Sequence, residues 1–282
     1  MKIVALVMCN SWIYNGGLKT INSLKYFHPE IDVVIYGDKE IDSLKKKYNI
    51  DDSLWMSGPC LMMDYLDSNP APDLLVKIGA DCLVLGKLDE IINQNYDVAS
   101  PRNDSDQVVG DERLNRPDII RDIPNHEWVN ADLICVKNMD FIKKYYEKVM
   151  DYNEGRELAL KDFGKIYKGD DMSGLNVVFR LGGFKSVILD PKGSNIVYGA
   201  SGNWCDRSRY RLSDGTVNNW SSWKDIYFDG QNCIMPDGGR GTGSRIVKIL
   251  HQSGGLYKDK LNFDLFNNEF RKYLTKITNF DK

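Results

Sequence analysis

An isolated carboxylate stands inside an otherwise apolar stretch, residues 74–88 (LLVKIGADCLVLGKL). Asp81 follows an apolar run that is typical of a sheet strand, and a second apolar run begins directly after it. Open α/β sheets bind their ligands beyond the carboxyl ends of their strands, so Asp81 is a candidate for ligand binding. The local pattern is equally compatible with Asp81 as a turn residue beside Gly79.

The elements that would position Asp81 alternate between strand and helix patterns. Continuous apolar, β-branched runs predict strands, and apolar residues at helical spacing between them predict helices. The predicted strands are 2–8, 32–36, 74–78, 82–85, 97–100, 131–136, 184–189 and 245–250. This alternation predicts an α/β fold with a mixed, mostly parallel, Rossmann-like sheet flanked by helices, and the polar segment 194–243 predicts an irregular, loop-rich C-terminal part.

The composition is that of a globular protein, with 282 residues of which 42% are hydrophobic and 27% charged. These values exclude the low hydrophobicity and high charge of a disordered chain. The formal net charge of -3 provides no general attraction to nucleic acid or anionic lipid. No apolar stretch approaches the roughly 20 residues of a membrane helix, so we expect a cytoplasmic protein without a membrane segment.

Two further patterns narrow the class of protein. There is neither a GxGxxG between a strand and a helix nor a GxxxxGK, so dinucleotide-binding and P-loop proteins find no support in the sequence. The six cysteines are widely scattered without a CxxC pair, and we expect reduced, mostly buried thiols.

Four segments in matching order resemble glycosyltransferases of the GT-A fold, especially the glycogenin and bacterial galactosyltransferase (family 8-like) type. Residues 78–88 look like the family's Asp-X-Asp element and the strand after it, with Asp81 at the second acidic position and Gly79 at the first. Residues 128–134 (WVNADLI) are similar to its Asn-(Ala/Ser)-Gly turn. Residues 169–176 (GDDMSGLN) and 249–258 (ILHQSGGLYK) resemble its Asp-Gln-(Asp)-X-X-Leu-Asn helix start and its His-(Phe)-X-Gly-X-X-Lys ending.

The resemblance implies a single GT-A-like catalytic domain over residues 1–282. Its nucleotide-binding half would be 1–100, its acceptor and donor-sugar half 101–258, and its last element a C-terminal helix at 259–282. It also implies a nucleotide-sugar donor, with a UDP-linked donor favoured, and a divalent ion, Mn²⁺ or Mg²⁺, that bridges the donor diphosphate.

The metal ligands implied by the resemblance are Asp81 and His251. A carboxylate oxygen and a neutral imidazole both bind such ions. Gly79 lacks the carboxylate expected at its position, which weakens the implied site unless a water or a diphosphate oxygen replaces it. The structural alternative for His251 is a partly buried strand histidine.

The same resemblance supplies a set of donor-binding candidates. Polar side chains where the first two strands end can hydrogen-bond the base and ribose, and a lysine with glycine amides can neutralise a leaving diphosphate. The candidates are Asn10, Ser11, Asp38, Lys77, Ala80, Gly254 and Lys258.

The catalytic candidates are Asn130, Asp170 and Asp171. Asn130 borders the donor sugar and acceptor in the implied arrangement. One of the two aspartates would face the sugar, as a general base in an inverting enzyme or as a polar group near the anomeric carbon in a retaining one. Capping of the predicted helix at 170–181 is the alternative role for both.

The function expected from these features is transfer of a hexose or pentose to a hydroxyl of a glycan, small molecule or protein. Two alternatives stay open. Gly79 suggests a nucleotide-sugar-binding protein that has lost turnover, and a local basic cluster suggests an enzyme that glycosylates modified bases of viral DNA. The cluster comprises Arg207, Arg209, Arg211, Arg240, Arg245 and Lys248.

Overall fold

The computed structural model describes residues 1–11, 14–49, 57–102, 129–150, 171–189, 196–197, 200–201, 210–211, 217–218, 225–236, 243–251, 263 and 266–279. The helices that lie wholly within these residues are α1 (Tyr14–Phe27), α2 (Asp38–Tyr48), α3 (Ser57–Ser68), α4 (Asp89–Asn93), α5 (Asp171–Leu181) and α6 (Asn268–Thr278). Residues 140–150 are also helical.

The longer strands come first in the chain and the short ones last. They are β1 (Ile3–Met8), β2 (Asp32–Tyr36), β3 (Leu74–Ile78), β4 (Cys82–Val84), β5 (Val98–Pro101), β6 (Leu133–Val136) and β7 (Ser186–Leu189). Short strands follow: β8 (Ile196–Val197), β9 (Ala200–Ser201), β10 (Tyr210–Arg211), β11 (Val217–Asn218), β12 (Tyr227–Phe228), β13 (Cys233–Met235), β14 (Arg245–Val247) and β15 (Ile249–His251).

A six-stranded sheet with the order β2-β1-β3-β6-β5-β7 forms the centre of the protein. β1 pairs in parallel with β2 and β3, and β5 pairs in parallel with β7. β6 is antiparallel to both of its neighbours, β3 and β5. The predicted mixed, mostly parallel α/β sheet is therefore confirmed.

The apolar run of β1 is buried on both faces of this sheet. Val4 and Leu6 belong to one core cluster, which includes residues of α2, α3 and α5. Ile3, Ala5 and Val7 belong to a second cluster, on the opposite face, which includes residues of α1 and α4. Because successive side chains of a strand point to opposite faces, a continuous apolar run requires helices on both sides of the sheet.

The last strands form smaller sheets beside this centre. β15 pairs antiparallel with β4 and parallel with β9, and β14 belongs to a separate sheet of order β12-β13-β14-β8. A third core cluster joins β4, β15 and α6 through side chains such as Leu83, Leu250 and Phe270. The second strand bordering Asp81 is therefore held by the C-terminal helix.

Several predicted strands differ from the observed ones by one or two residues, and two elements near the C-terminal end differ by more. The strand predicted at 245–250 is two strands in different sheets, which separate at Lys248, whose carbonyl accepts a hydrogen bond from the Leu85 N–H (2.8 Å). The predicted C-terminal helix at 259–282 was too long at its start. Its first helical residue is Asn268, because the Asn267 side chain caps the helix by accepting the Phe270 N–H (2.9 Å).

The thiols follow the prediction where the structure describes them. Cys9, Cys60, Cys82, Cys135 and Cys233 are buried thiols that form no disulfide, whereas Cys205 lies outside the described residues. Among the described helices, none is both long and apolar enough to cross a membrane.

Candidate active site

Asp81 and His251 meet at the carboxyl end of β3. Asp81 lies in the turn between β3 and β4, and His251 is the last residue of β15. The antiparallel pairing of β4 with β15 sets Cys82 opposite His251. His251 Nε2 is consequently 3.2 Å from Asp81 Oδ2, so the two predicted metal ligands lie together.

Asp132 is a third charged group at the same point. Its Oδ2 lies 3.0 Å from His251 Nε2. The side chains of Asp81 and His251 are 16% and 12% exposed, and that of Asp132 is 31% exposed, so the cluster is reachable from solvent through Asp132. Asp132 is not among the site residues predicted from the sequence. The available signal was an aspartate where the resembled turn has glycine, combined with glycine at position 79 where the resembled element has aspartate.

The charges of this cluster reinforce one another. Burial alone opposes charging of the His251 imidazole, but attraction by Asp132 and Asp81 outweighs it and raises the pKa of His251 well above its ordinary value. Burial likewise opposes charging of Asp132, but His251, Lys77 and a hydrogen bond from Asn130 lower the pKa of Asp132 below its ordinary value. The two neighbouring carboxylates thus favour the protonated form of His251.

Lys77 connects this cluster with a second group of polar side chains. Its Nζ donates to the carbonyl oxygen of Ala131 (2.7 Å) and lies 4.0 Å from Asp132 Oδ1. A β-carbon built on Gly58, in the first turn of α3, would lie 3.8 Å from Lys77 Cε and 3.3 Å from Asp171 Oδ2. Lys77 therefore approaches Asp132, and it borders the same position on α3 as the predicted catalytic residue Asp171.

Asn130 has a positioning role in the described structure. Its side-chain oxygen accepts the Asp132 N–H (2.7 Å), which shapes the turn before β6. The preceding residue, Val129, is held by Asn176 of α5, whose side chain accepts the Val129 N–H (2.8 Å) and donates to the Val129 carbonyl (2.9 Å). The buried Asn176 thereby ties α5, which begins at Asp171, to the turn that carries Asp132.

The predicted nucleoside-binding residues lie where the two neighbouring strands end. Ser11 donates to Asp38 from its N–H and its hydroxyl, both at 3.1 Å from Asp38 Oδ1. Asn10 is buried, and its Oδ1 has no hydrogen-bond partner among the described residues. Because Val7 pairs with Ile78, the chain leaves β1 toward Asn10 beside the turn that leads to Asp81.

Four predicted site residues remain, and the structure describes one of them. Ala80 is buried, and its carbonyl accepts the Thr20 hydroxyl of α1 (3.0 Å). Asp170, Gly254 and Lys258 lie outside the described residues.

The donor atoms of the cluster fit a hard divalent cation. Asp81, Cys82 and His251 each present a ligand atom within 4.8 Å of the others, and Asp132 adds a carboxylate whose Oδ2 lies 3.0 Å from His251 Nε2. Burial, with the charges of Asp81 and Asp132, raises the pKa of the Cys82 thiol well above its ordinary value. Mg²⁺ and Mn²⁺ prefer oxygen ligands and accept imidazole, so the carboxylates and His251 fit and the neutral thiol does not.

Solved structures define the class of fold to which this arrangement belongs. Similar to the chain is the galactosyltransferase LgtC in complex with donor and acceptor sugar analogues, at 10% identity and a TM-score of 0.52 over 98% of this chain and 95% of that one. Mouse xyloside xylosyltransferase 1 is similar at 10% identity and a TM-score of 0.51, over 90% and 98%. The chain has the GT-A glycosyltransferase fold.

A third similar structure is longer than this chain. The glycosyltransferase GlyE of Streptococcus pneumoniae matches at 12% identity and a TM-score of 0.52, over 100% of this chain and 62% of that one. The sequence matches no protein-family model and no curated protein. At these identities the likeness is one of fold.

Proposed function

We propose that this chain is a glycosyltransferase that moves a sugar from a nucleotide-sugar donor to an acceptor hydroxyl. The observation that carries the proposal is the meeting of Asp81 and His251, 3.2 Å apart, at the carboxyl end of a central strand in a glycosyltransferase fold. Support comes from LgtC, whose structure contains donor and acceptor sugar analogues.

Asp81 and His251 would hold Mn²⁺ or Mg²⁺. Such an ion, when bound, neutralises the charge of the departing diphosphate. In the proposed enzyme, Asp81 and His251 orient the diphosphate end of the donor, and Gly254 and Lys258 assist by binding its oxygens. A UDP-linked donor is the first to test.

Asn10, Ser11 and Asp38 would bind the nucleoside. The buried Asn10 Oδ1, which has no hydrogen-bond partner among the described residues, is an acceptor that a base or ribose donor would satisfy, and buried polar atoms usually have such partners. The Asp38 carboxylate is already held by Ser11, so it would receive a ribose hydroxyl without first becoming ordered.

Asp171 is the catalytic candidate that the described geometry supports. Asp171 Oδ2 and Lys77 Cε lie 3.3 and 3.8 Å from the β-carbon position of Gly58, and the Lys77 ammonium is 4.0 Å from Asp132 Oδ1. We propose that Asp171 faces the transferred sugar. Asn130, by contrast, would act by holding the Asp132 turn.

The DNA-modifying alternative gains no support from Lys248, a described member of the basic cluster. Lys248 is 12% exposed, 3.4 Å from Glu90 Oε1, and donates to the Lys87 carbonyl (2.8 Å). The Lys248 ammonium thus already interacts with Glu90 and the Lys87 carbonyl, and it is poorly placed to bind a phosphate.

Ligand-dependent thermal stability tests the proposed donor site. The melting temperature of the protein is measured with UDP, GDP, CMP and dTDP, each with and without Mn²⁺. A ligand at 100 times its Kd stabilises by about 2.7 kcal/mol, enough to raise Tm by several degrees. We expect UDP to raise Tm only when Mn²⁺ is present.

Variants connect this stabilisation to the named residues. Asp81→Asn and His251→Ala should abolish both the Mn²⁺-dependent Tm shift and release of the nucleoside diphosphate from the matching nucleotide sugar. Asp42→Asn, an exposed carboxylate change on α2, should leave both unchanged. Binding of the nucleotide sugar without its consumption would instead identify a protein that has lost turnover, and no Tm shift with any nucleotide would contradict the proposed donor site.

A further inference from the structure

Gly79 is surrounded by carboxylates. A β-carbon built on Gly79 would lie 2.8 Å from Asp81 Oδ1, 3.2 Å from Asp132 Oδ1 and 3.3 Å from Asp132 Cβ. The first distance is shorter than van der Waals contact, so a side chain at position 79 would displace these groups. The two carboxylates thus already occupy the space that a side chain at position 79 would enter.

The backbone holds Asp132 beside Gly79. β3 and β6 are antiparallel, with Ile78 opposite Leu133. The Gly79 N–H donates to the Asp132 carbonyl (2.6 Å), which continues this pairing beyond the strands. The Asp132 N–H is in turn held by the Asn130 side chain (2.7 Å). The position of the Asp132 carboxylate is therefore set by the sheet and the turn.

Asp132 and Asp81 approach one imidazole atom from different segments of the chain. Oδ2 of Asp132 is 3.0 Å and Oδ2 of Asp81 is 3.2 Å from His251 Nε2. Two carboxylates and one imidazole provide oxygen and nitrogen donors that divalent cations prefer. Asp132 is also the most exposed of the three, which leaves it accessible to an entering ion.

We propose that Asp132 replaces the carboxylate that Gly79 lacks, so that the cation of the donor site is bound by Asp81, Asp132 and His251. This inference rests on the proposed function and adds a ligand to its metal site. The resembled Asp-X-Asp element has aspartate at the position of Gly79, and the resembled Asn-(Ala/Ser)-Gly turn has glycine at the position of Asp132. The two residue types are therefore exchanged in this chain. The Asp132 carboxylate lies beside the place that a side chain at position 79 would occupy.

Direct Mn²⁺ binding, followed by the electron paramagnetic resonance signal of the unbound ion, tests the proposal without any activity measurement. Even outer partners of metal ligands change affinity by about 10- to 100-fold, so loss of a direct ligand should weaken binding at least about tenfold. We expect that loss in Asp132→Asn and in Asp81→Asn, and unchanged binding in Asp42→Asn. Circular dichroism of each variant confirms that it is folded.

An exchange of residues supplies a second test. Gly79→Asp alone should lower Tm, because the new side chain meets Asp81 and Asp132, and Asp132→Gly alone should lose Mn²⁺ affinity. The double variant Gly79→Asp with Asp132→Gly removes the contacts with Asp132, leaves only the contact with the end of the Asp81 side chain, and returns a carboxylate to the same space. Its Mn²⁺ affinity should exceed that of Asp132→Gly by about tenfold or more.

The possible results separate this inference from the proposed function. If Asp132→Asn binds Mn²⁺ as tightly as the unaltered protein while Asp81→Asn does not, Asp132 is not a ligand and the proposed function stands. A double variant that binds no better than Asp132→Gly also overturns the inference. If the unaltered protein binds no Mn²⁺ but is stabilised by a nucleoside diphosphate, the three-ligand site is wrong and sugar transfer remains.

Discussion

Tyr145 is a buried residue whose hydroxyl lacks a partner among the described residues. Its ring is fully buried in the core cluster that also contains Val4 and Leu6 of β1. Its oxygen makes no hydrogen bond to any described residue. A β-carbon on Gly58 would lie 3.6 Å from this oxygen and 3.3 Å from Asp171 Oδ2. The hydroxyl thus points toward the polar group that includes the catalytic candidate.

Replacing Tyr145 with phenylalanine should not destabilise the protein. An unsatisfied buried polar atom costs roughly 1–3 kcal/mol, so Tyr145→Phe should raise the free energy of unfolding by about 1 kcal/mol in urea titrations. Tyr36→Phe is the matched control, because the Tyr36 hydroxyl donates to the Leu61 carbonyl (3.2 Å) and its loss should cost about 1 kcal/mol. Equal destabilisation by both changes would contradict this account of Tyr145.

At the scale of elements, α1 holds the turn that carries Asp81. The Thr20 hydroxyl of α1 shares its one hydrogen between the carbonyls of Ala80 (3.0 Å) and Cys82 (2.7 Å), on either side of Asp81. One turn later, the Ser23 hydroxyl accepts the Val84 N–H (3.0 Å). Both side chains are fully buried. Side chains of α1 therefore supply hydrogen bonds to backbone groups that a short strand and a turn cannot pair by themselves.

Loss of the Thr20 hydroxyl should affect both stability and the metal site. Thr20→Val keeps the shape of the side chain but leaves buried carbonyls without a donor, at a cost of about 1–3 kcal/mol in the free energy of unfolding. Because Asp81 lies between those carbonyls, we also expect weaker Mn²⁺ binding.

Thr278→Val is a matched change at a distance from the site. The buried Thr278 hydroxyl donates only within its own helix, to the Leu274 carbonyl (2.7 Å). Such a bond contributes little to stability, so the change should have a small effect on unfolding and none on Mn²⁺ affinity. The role assigned to Thr20 is wrong if Thr20→Val binds Mn²⁺ as well as Thr278→Val does.

At the scale of the whole molecule, α6 closes the part of the core that supports His251. Phe270 is fully buried in the cluster that also contains Leu250, the residue before His251. Two hydrogen bonds also join α6 to its neighbours. The Tyr273 hydroxyl donates to the Leu85 carbonyl (2.7 Å), and the Asn22 side chain of α1 donates to the Thr278 carbonyl (2.7 Å). The metal-site histidine thus depends on packing by the last described helix.

Truncation of Phe270 should therefore be costly. Phe270→Ala should lower the free energy of unfolding by about 3–5 kcal/mol, because it removes a large buried ring and leaves a cavity. Tyr227→Ala, at a ring that is 40% exposed, should cost much less. Urea unfolding followed by circular dichroism measures both, and a loss below about 1 kcal/mol for Phe270→Ala would show that α6 is not part of the cooperative core.

The sheet and two of its site residues were predictable from the sequence because their signals are local. Apolar β-branched runs separated by helical patterns define β1, β2 and β3. A carboxylate at a break in an apolar run, and a histidine before a glycine-rich turn, marked Asp81 and His251. The C-terminal helix was predicted too long, since its start depends on a single capping side chain, Asn267.

The role proposed for Asp132 depends on tertiary structure. Nothing near it in the chain distinguishes it from an ordinary turn aspartate; its proximity to Gly79 and His251 comes from the antiparallel pairing of β6 with β3 and of β15 with β4. The unpaired Asn10 oxygen is likewise visible only once its surroundings are packed. Sequence by itself determined which residues can do chemistry and which strands precede them, because both are properties of short segments. Which of those residues share one space was decided by strand pairing between distant segments.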